Sequence, residues 1–170
     1  MKYSFEKDFL DRNEDKTDFT NHREKATEVE LKKLKEEYPK IPSEFLEYLS
    51  EIGSGSFLEC QFQVQKYLFD LDDLGLTENY DLKEGIKFFG DNYAGDFSGF
   101  DFNDNPTLVV EYWHEDGTIY ETNKTFKEYI REKMNSGSAV IALTEEGEWA
   151  GFCYIETWSD GAYASNSGLI

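Results

Sequence analysis

Thr107-Leu108-Val109-Val110-Glu111-Tyr112-Trp113-His114-Glu115-Asp116-Gly117-Thr118-Ile119-Tyr120-Glu121 is the stretch that decides the fold class. Asp-Gly suits the centre of a tight hairpin, because both residues tolerate the positive φ that such a turn needs. On either side stand β-branched and aromatic residues, which fit a pleated, half-buried surface. The stretch therefore predicts two antiparallel strands, Val109–Trp113 and Thr118–Glu121, joined through Glu115–Thr118. Upstream, Ile86–Phe89 and Phe97–Phe102 read as further strands. So does the segment in which Leu58, Cys60, Phe62 and Val64 alternate with Glu59, Gln61, Gln63 and Gln65. An alternation with period two predicts a strand with one face wet.

Outside this region the period changes to that of a helix. About Arg23–Tyr38, the residues Thr27, Leu31, Leu34 and Tyr38 form one narrow stripe, so this helix lies on a surface. Pro39-Lys40-Ile41-Pro42 ends it. A second helix starts at Pro42 or Ser43, where proline costs nothing because the first turn has no use for its N–H. Phe45, Leu46, Leu49 and Ile52 make its buried face, and Gly53 supplies a left-handed stop. After the strands, Thr125-Phe126-Lys127-Glu128 is a capping box that opens a closing helix, with Phe126, Tyr129, Ile130 and Met134 facing inward. Residues 1–22 read as an arm or a short irregular helix. Residues 139–170 form a last segment carrying Trp149, Phe152, Tyr154 and Trp158. Helices, then meandering strands, then a helix predict an α+β domain, one antiparallel sheet with helices packed on one side.

The chain has 170 residues, a length that fits one domain. It carries a net charge of −19, yet 16% of its residues are aromatic, which a disordered acidic chain would lack. The charge is unevenly spread. Residues 61–170 hold 7 basic and 21 acidic side chains, a net of −14. From Phe88 to Asn123 there is no Lys or Arg, while that stretch holds eight carboxylates: Asp91, Asp96, Asp101, Asp104, Glu111, Glu115, Asp116 and Glu121. Direct nucleic-acid binding is excluded as an expectation, since phosphates need a basic surface. A cationic protein partner is what such a field would steer.

No cofactor, metal or catalytic site is expected. Asp101-Phe102-Asn103-Asp104-Asn105 opens like a calcium loop, but Pro106 and Tyr112 stand where that pattern needs Gly and Glu. It reads instead as a turn built from Asx side chains. The two histidines, His22 and His114, lie in no catalytic signature, and Cys60 and Cys153 form neither a CxxC motif nor a disulfide framework. The N-terminal residues are too charged for a secretory leader and no run approaches the ~18 apolar residues of a membrane span, so a cytoplasmic location with no membrane partner is expected. The candidate partner-binding residues are Asp91, Tyr93, Asp96, Phe97, Asp101, Asp104, Glu115 and Asp116, where acids meet aromatic anchors. Phe89, Phe100, Phe102, Val109 and Trp113 are assigned to the core.

Four segments together resemble a known family. Ile41-Pro42-Ser43-Glu44-Phe45-Leu46 with Ile52-Gly53 looks like its Pro-started, Gly-stopped helix. Ile86-Lys87-Phe88-Phe89-Gly90-Asp91 with Gly95-Asp96-Phe97-Ser98-Gly99-Phe100-Asp101-Phe102 looks like its Gly- and Asp-rich double strand. Val109–His114 with Asp116, and Thr125-Phe126-Lys127-Glu128-Tyr129-Ile130, resemble its Trp-containing strand and its closing helix. The family is the SUKH superfamily, which includes the fungal Smi/Knr regulators of cell-wall synthesis. The resemblance covers a Smi/Knr-like core over 39–134; outside it stand an N-terminal arm and helix over 1–38 and a C-terminal extension over 135–170, expected to pack on the same domain. It implies a binding protein without a catalytic site. For bacterial members the implied role is immunity: binding and neutralising a polymorphic or contact-dependent toxin, often a nuclease. The alternative is a scaffold in cell-wall assembly of the fungal type.

Overall fold

The computed structural model describes residues 2–58, 61–73 and 83–135, together with the backbone of three further strands between 139 and 168. They fall into two compact units, Met1–Ile130 and Arg131–Ile170.

In the first unit, seven strands form one antiparallel sheet: β1 (Arg23–Glu24), β2 (Ser54–Phe57), β3 (Phe62–Phe69), β4 (Ile86–Asp91), β5 (Phe97–Asp101), β6 (Leu108–Trp113) and β7 (Thr118–Thr125). Their spatial order is their chain order, so the sheet is a meander with β1 and β7 at its edges. Four helices accompany it: α1 (Ser4–Asn13), α2 (Glu28–Glu37), α3 (Ser43–Glu51) and α4 (Phe126–Asn135), the last running across the boundary between the units. The expected α+β class and antiparallel sheet are what the chain forms.

Local chemistry explains the boundaries. Thr27 caps α2: its side chain accepts the Glu30 N–H while the Glu30 carboxylate accepts the Thr27 N–H at 2.8 Å. The same reciprocal arrangement opens α4, where Glu128 accepts from Thr125 N at 2.9 Å and Thr125 Oγ1 accepts from Glu128 N at 3.4 Å. α3 begins directly after Pro42 and is stopped at Gly53, whose φ is +109°. A Cβ there would lie 2.7 Å from the Glu24 carbonyl, so only glycine lets α3 turn into β2 beside β1.

One sheet face meets the helices through aromatic rings. Phe89 of β4 has ring centroids 4.8 Å from Phe100 of β5, 5.0 Å from Phe126 of α4 and 5.6 Å from Phe45 of α3. Tyr3, just before α1, packs edge-on against Tyr48 of α3 at 5.5 Å and donates its hydroxyl to the Glu44 carbonyl at 2.8 Å. The opposite face carries a buried cluster of its own. Phe69, Leu71, Ile86, Phe88, Val110 and Tyr112 are buried together there, with Phe97 and Ile119 half-buried against them.

Several boundaries differ from expectation. Arg23 and Glu24 are not helical, because they pair with Gly55 and Ser54 as β1, and the helix waits for its cap at Thr27. The alternation over 58–65 is not one strand. Leu58 takes a left-handed φ of +50° after β2 has ended at Phe57, and β3 starts at Phe62. Glu59 and Cys60 lie outside the described residues. α1 is a regular helix, because Tyr3, Glu6 and Leu10 are buried against the rest of the unit. Trp113, assigned to the core, is exposed, and Phe102 is half-buried against Tyr38 at 5.3 Å.

The second unit contains β8 (Ala139–Leu143), β9 (Trp149–Trp158) and β10 (Gly161–Gly168), paired antiparallel in the order β10-β9-β8. Residues 136–138, 144–148 and 159–160, and the side chains of Trp149, Phe152, Tyr154 and Trp158, lie outside the described residues.

Candidate functional site

Alternating strand direction divides the eight candidate residues into two groups. β4 and β6 end at the same end of the sheet, so the turn after Asp91 and the hairpin after Trp113 are neighbours. Asp91, Tyr93, Asp96, Phe97, Glu115 and Asp116 belong to this end. Asp101, the last residue of β5, and Asp104, in the loop that follows, lie at the other end of that strand, about 13 Å from Phe97 at ~3.3 Å per strand residue. One continuous patch over all eight is therefore not formed.

At the first end the acids build the turns. Asp91 Oδ1 accepts the Tyr93 N–H at 2.9 Å, in an Asx turn that places Tyr93 at a left-handed φ of +59°. Asn92 Oδ1 accepts from Ala94 N at 2.9 Å and Asp96 N at 3.2 Å. Asp96 then fastens this turn to the next hairpin: its Oδ1 accepts from His114 N at 3.1 Å and from His114 Nδ1 at 2.7 Å. A carboxylate only accepts, so Nδ1 is the donor in this pair. Asp116 closes the hairpin by accepting from Thr118 N and the Tyr120 hydroxyl, both at 2.9 Å.

These environments push the carboxyls in different directions. Burial raises Asp91 above the usual carboxylate range, against a smaller opposing effect from the Tyr93 N–H. Burial is also the largest single influence on Asp96, pushing upward, but the bonds from His114 and Asn92 outweigh it and hold the carboxyl low. Asp116 is held low chiefly by the Thr118 N–H. The signs follow by linkage. Depressed Asp96 contributes stability above the ordinary carboxylate pKa of about 3.9, lost as pH falls through its folded value. Raised Asp91 favours the fold below that value and loses this advantage as pH rises. Asp96→Ala is therefore expected to melt below wild type at pH 7, with the gap narrowing in acid. Asp91→Asn keeps the turn acceptor and should melt at or above wild type at pH 7. Thermal melts followed by circular dichroism across pH 2–8 check both, and an Asp96→Ala gap independent of pH would contradict this account.

At the far end the loop is spent on itself. Buried Asp101 accepts from Asn103 N at 2.9 Å and Asp104 N at 3.1 Å, and pairs with Lys83 at 2.7 Å. This is the Asx turn expected in place of a calcium loop. Among the described residues no group of three His, Cys, Asp or Glu side chains is placed to hold a metal ion. His114 Nδ1 is engaged by Asp96, while Cys60 and the Cys153 side chain lie outside the described residues.

What this end of the sheet presents is aromatic surface framed by acids. Tyr93 is 51% exposed, Trp113 43% and Tyr120 37%. Tyr112, which sits between candidate positions in sequence, is buried and stacks on Phe97 at 6.0 Å. Trp113 and Tyr120 stand in contact, ring centroids 4.4 Å apart. Each has its polar atom held by a carboxylate of its own hairpin: Trp113 Nε1 donates to Glu111 at 3.2 Å and the Tyr120 hydroxyl to Asp116. This pair was absent from the candidate residues. The signal for it was strand parity: Trp113 and Tyr120 share one sheet side, Tyr112 and Ile119 the other. Among the described residues no helix is long and apolar enough to cross a membrane.

Neither the curated proteins nor the solved structures yield a match to the chain. A family model does: SMI1 / KNR4 family (SUKH-1) matches residues 25–132, from just after β1 through most of α4 and so including the whole hairpin end of the sheet. That span is more than half of the chain, which therefore belongs to the SMI1 / KNR4 family (SUKH-1).

Proposed function

We propose that this protein is an immunity protein of the cytoplasm that binds and neutralises a basic polymorphic or contact-dependent toxin, a nuclease being the class its charge suits best. The observation that carries the reading is the end of the sheet that holds Asp91, Asp96, Glu115 and Asp116 together with exposed Tyr93, which bonds Gln63 of β3, and exposed Trp113 and Tyr120 on β6 and β7. Family membership supports a protein partner. The active face of a nuclease is basic because it holds phosphates. An acidic surface on a chain of net charge −19 is steered to such a face and covers it without any chemistry of its own. The turn acids serve twice in this account: their hydrogen bonds stiffen the loops, so little entropy is lost on docking.

Kinetics against the cognate toxin test it. Glu115→Lys, an exposed rim charge at the hairpin end, should slow association and flatten its salt dependence. Asp104→Lys, at the far end, should change association much less. Tyr93→Ala should speed dissociation about tenfold or more, which corresponds to about 1.4 kcal/mol. Surface-plasmon measurements at two salt concentrations distinguish these effects. Wild-type kinetics in both Glu115→Lys and Tyr93→Ala would remove the hairpin end from the interface. A cell expressing the toxin and not rescued by the wild-type protein would remove the immunity function.

A further inference from the structure

β7 is the last strand of the seven-stranded sheet, and among the described residues no strand pairs with its outer side. It is eight residues long, and Thr118, Tyr120 and Glu121 are exposed. Open edges usually carry a device against pairing, such as an edge lysine, a proline or a bulge. Here the ladder shift between Leu108 and Val110 and the left-handed Asn123, at φ +57°, disturb only the far half of the strand. The half from Thr118 to Thr122 is regular and has neither lysine nor proline.

The two sides of that half-strand have a definite chemistry. Tyr120 lies opposite Glu111 and Thr118 opposite Trp113, so the Trp113–Tyr120 pair occupies one side of the sheet at this edge. Ile119 lies opposite Tyr112 and Glu121 opposite Val110 on the other side. The two rings lie 4.4 Å apart at a 42° tilt, with their polar atoms turned to Glu111 and Asp116. Fixed in this way, the two side chains still leave 43% and 37% of their residues' surface open to solvent. No Lys or Arg occurs between Leu108 and Asn123 to occupy them from the same strands.

We propose that the outer side of β7, from Thr118 to Thr122, receives an extended arginine-bearing segment of the protein partner as an added strand, with a guanidinium lying on the Trp113–Tyr120 pair. The inference rests on the reading that the chain captures a basic protein, and it names the element that does so and the side chain it reads. Strand addition supplies backbone hydrogen bonds without regard to sequence, and side chains alternating across the edge supply selectivity. A guanidinium satisfies both demands of the site: it stacks flat on an aromatic face and its N–H groups reach the flanking carboxylates, Asp116 and Glu111. An ammonium can do only the second well. The next partner residue but one along the added strand falls on the same side, so arginine at every second position fits best.

The probes are a capped heptapeptide alternating arginine with threonine, and twins carrying lysine or glutamine in place of arginine. Titrated into the full chain labelled with ¹⁵N, the arginine peptide should shift and protect the backbone amides of Thr118–Thr122. The lysine twin should bind several-fold more weakly and the glutamine twin at least tenfold more weakly. Trp113→Ala and Tyr120→Leu should each weaken the arginine peptide at least tenfold. Both side chains are substantially exposed, and unchanged circular dichroism verifies the folds. No binding at millimolar peptide, shifts confined to the turn around Tyr93, or equal affinity for the lysine twin would overturn the proposal. The cognate toxin separates the two levels of inference. If it binds wild type and the Trp113→Ala and Tyr120→Leu variants alike, the β7 edge is excluded while the immunity reading stands. If the peptide binds as described and no toxin does, the edge is confirmed and the immunity reading fails.

Discussion

Phe89→Ala should cost about 3–5 kcal/mol of folding stability, the range for an aromatic removed from a packed core. The ring is fully buried at the point where the sheet, α3 and α4 converge. Its neighbours Phe45, Phe100 and Phe126 belong to three different elements, and each makes ring contacts with the other two as well. Removing the central ring leaves a cavity that no single side chain can swing into, because the neighbours hold one another in place. Small domains have only about 5–15 kcal/mol in total, so the variant approaches the limit of folding. Phe89→Leu retains most of the volume and should cost a smaller part of this. Urea denaturation of the three proteins measures the effect. A loss below about 1 kcal/mol for Phe89→Ala would mean that the aromatic layer is loosely packed.

Arg23→Ala should cost a comparable amount for a different reason. Arg23 and Glu14 form a two-pronged pair with side chains only 13% and 4% exposed. Arg23 Nη1 also donates to the Ser56 carbonyl at 2.8 Å, and Glu14 Oε1 accepts from Leu58 N at 3.1 Å. The pair thus joins α1's end, edge strand β1 and the turn after β2. Attraction and desolvation nearly cancel while both charges are present, but removing one leaves the other buried alone, at a cost of about 3–5 kcal/mol. Replacing both with leucine should recover much of that loss. Recovery stays incomplete, because the Ser56 carbonyl and Leu58 N–H lose partners worth about 1 kcal/mol each. Denaturant midpoints of the single and double variants form the cycle. A double variant no better than Arg23→Ala would show that the charge itself was never the cost.

Features held by neighbours in the chain were legible from the residues. The Asp-Gly hairpin, the capping box at Thr125 and the glycine stop at Gly53 are each decided within a few positions, and each is found where the residues place it. Ser54–Phe57 was not seen as a strand, because Ser-Gly-Ser has little intrinsic preference for one. It is a strand because β1, some thirty residues upstream, and β3 pair with it. The exposure of Trp113, expected in the core, beside buried Tyr112 has a related cause. Alternation tells which residues share a side, but here both sides carry buried clusters, so alternation does not tell which residues are covered. The candidate acids failed to form one patch because their common sign hid their opposite ends. A base-free run in sequence was not base-free in space either, since Lys83 comes from outside it to pair with Asp101.

The meander has a consequence for how the chain acquires its structure. Strand partners are successive in the chain from β2 onward, so the ladder can close step by step over connections that are short except between β3 and β4, and even that longer one adds little closure entropy. The helical layer obeys a different timetable. Lys127 N donates to the Glu44 carboxylate across 83 residues, the Lys127 ammonium reaches the Lys2 carbonyl across 125, and Phe126 completes the ring cluster begun by Phe45. During synthesis from the N-terminus, Phe45 can meet Phe89 and Phe100 before α4 exists, but the ring layer stays open on the side that Phe126 later fills. The sheet can zip early and the last helix locks it, which makes the Thr125 cap the point at which a local assembly becomes a cooperative one.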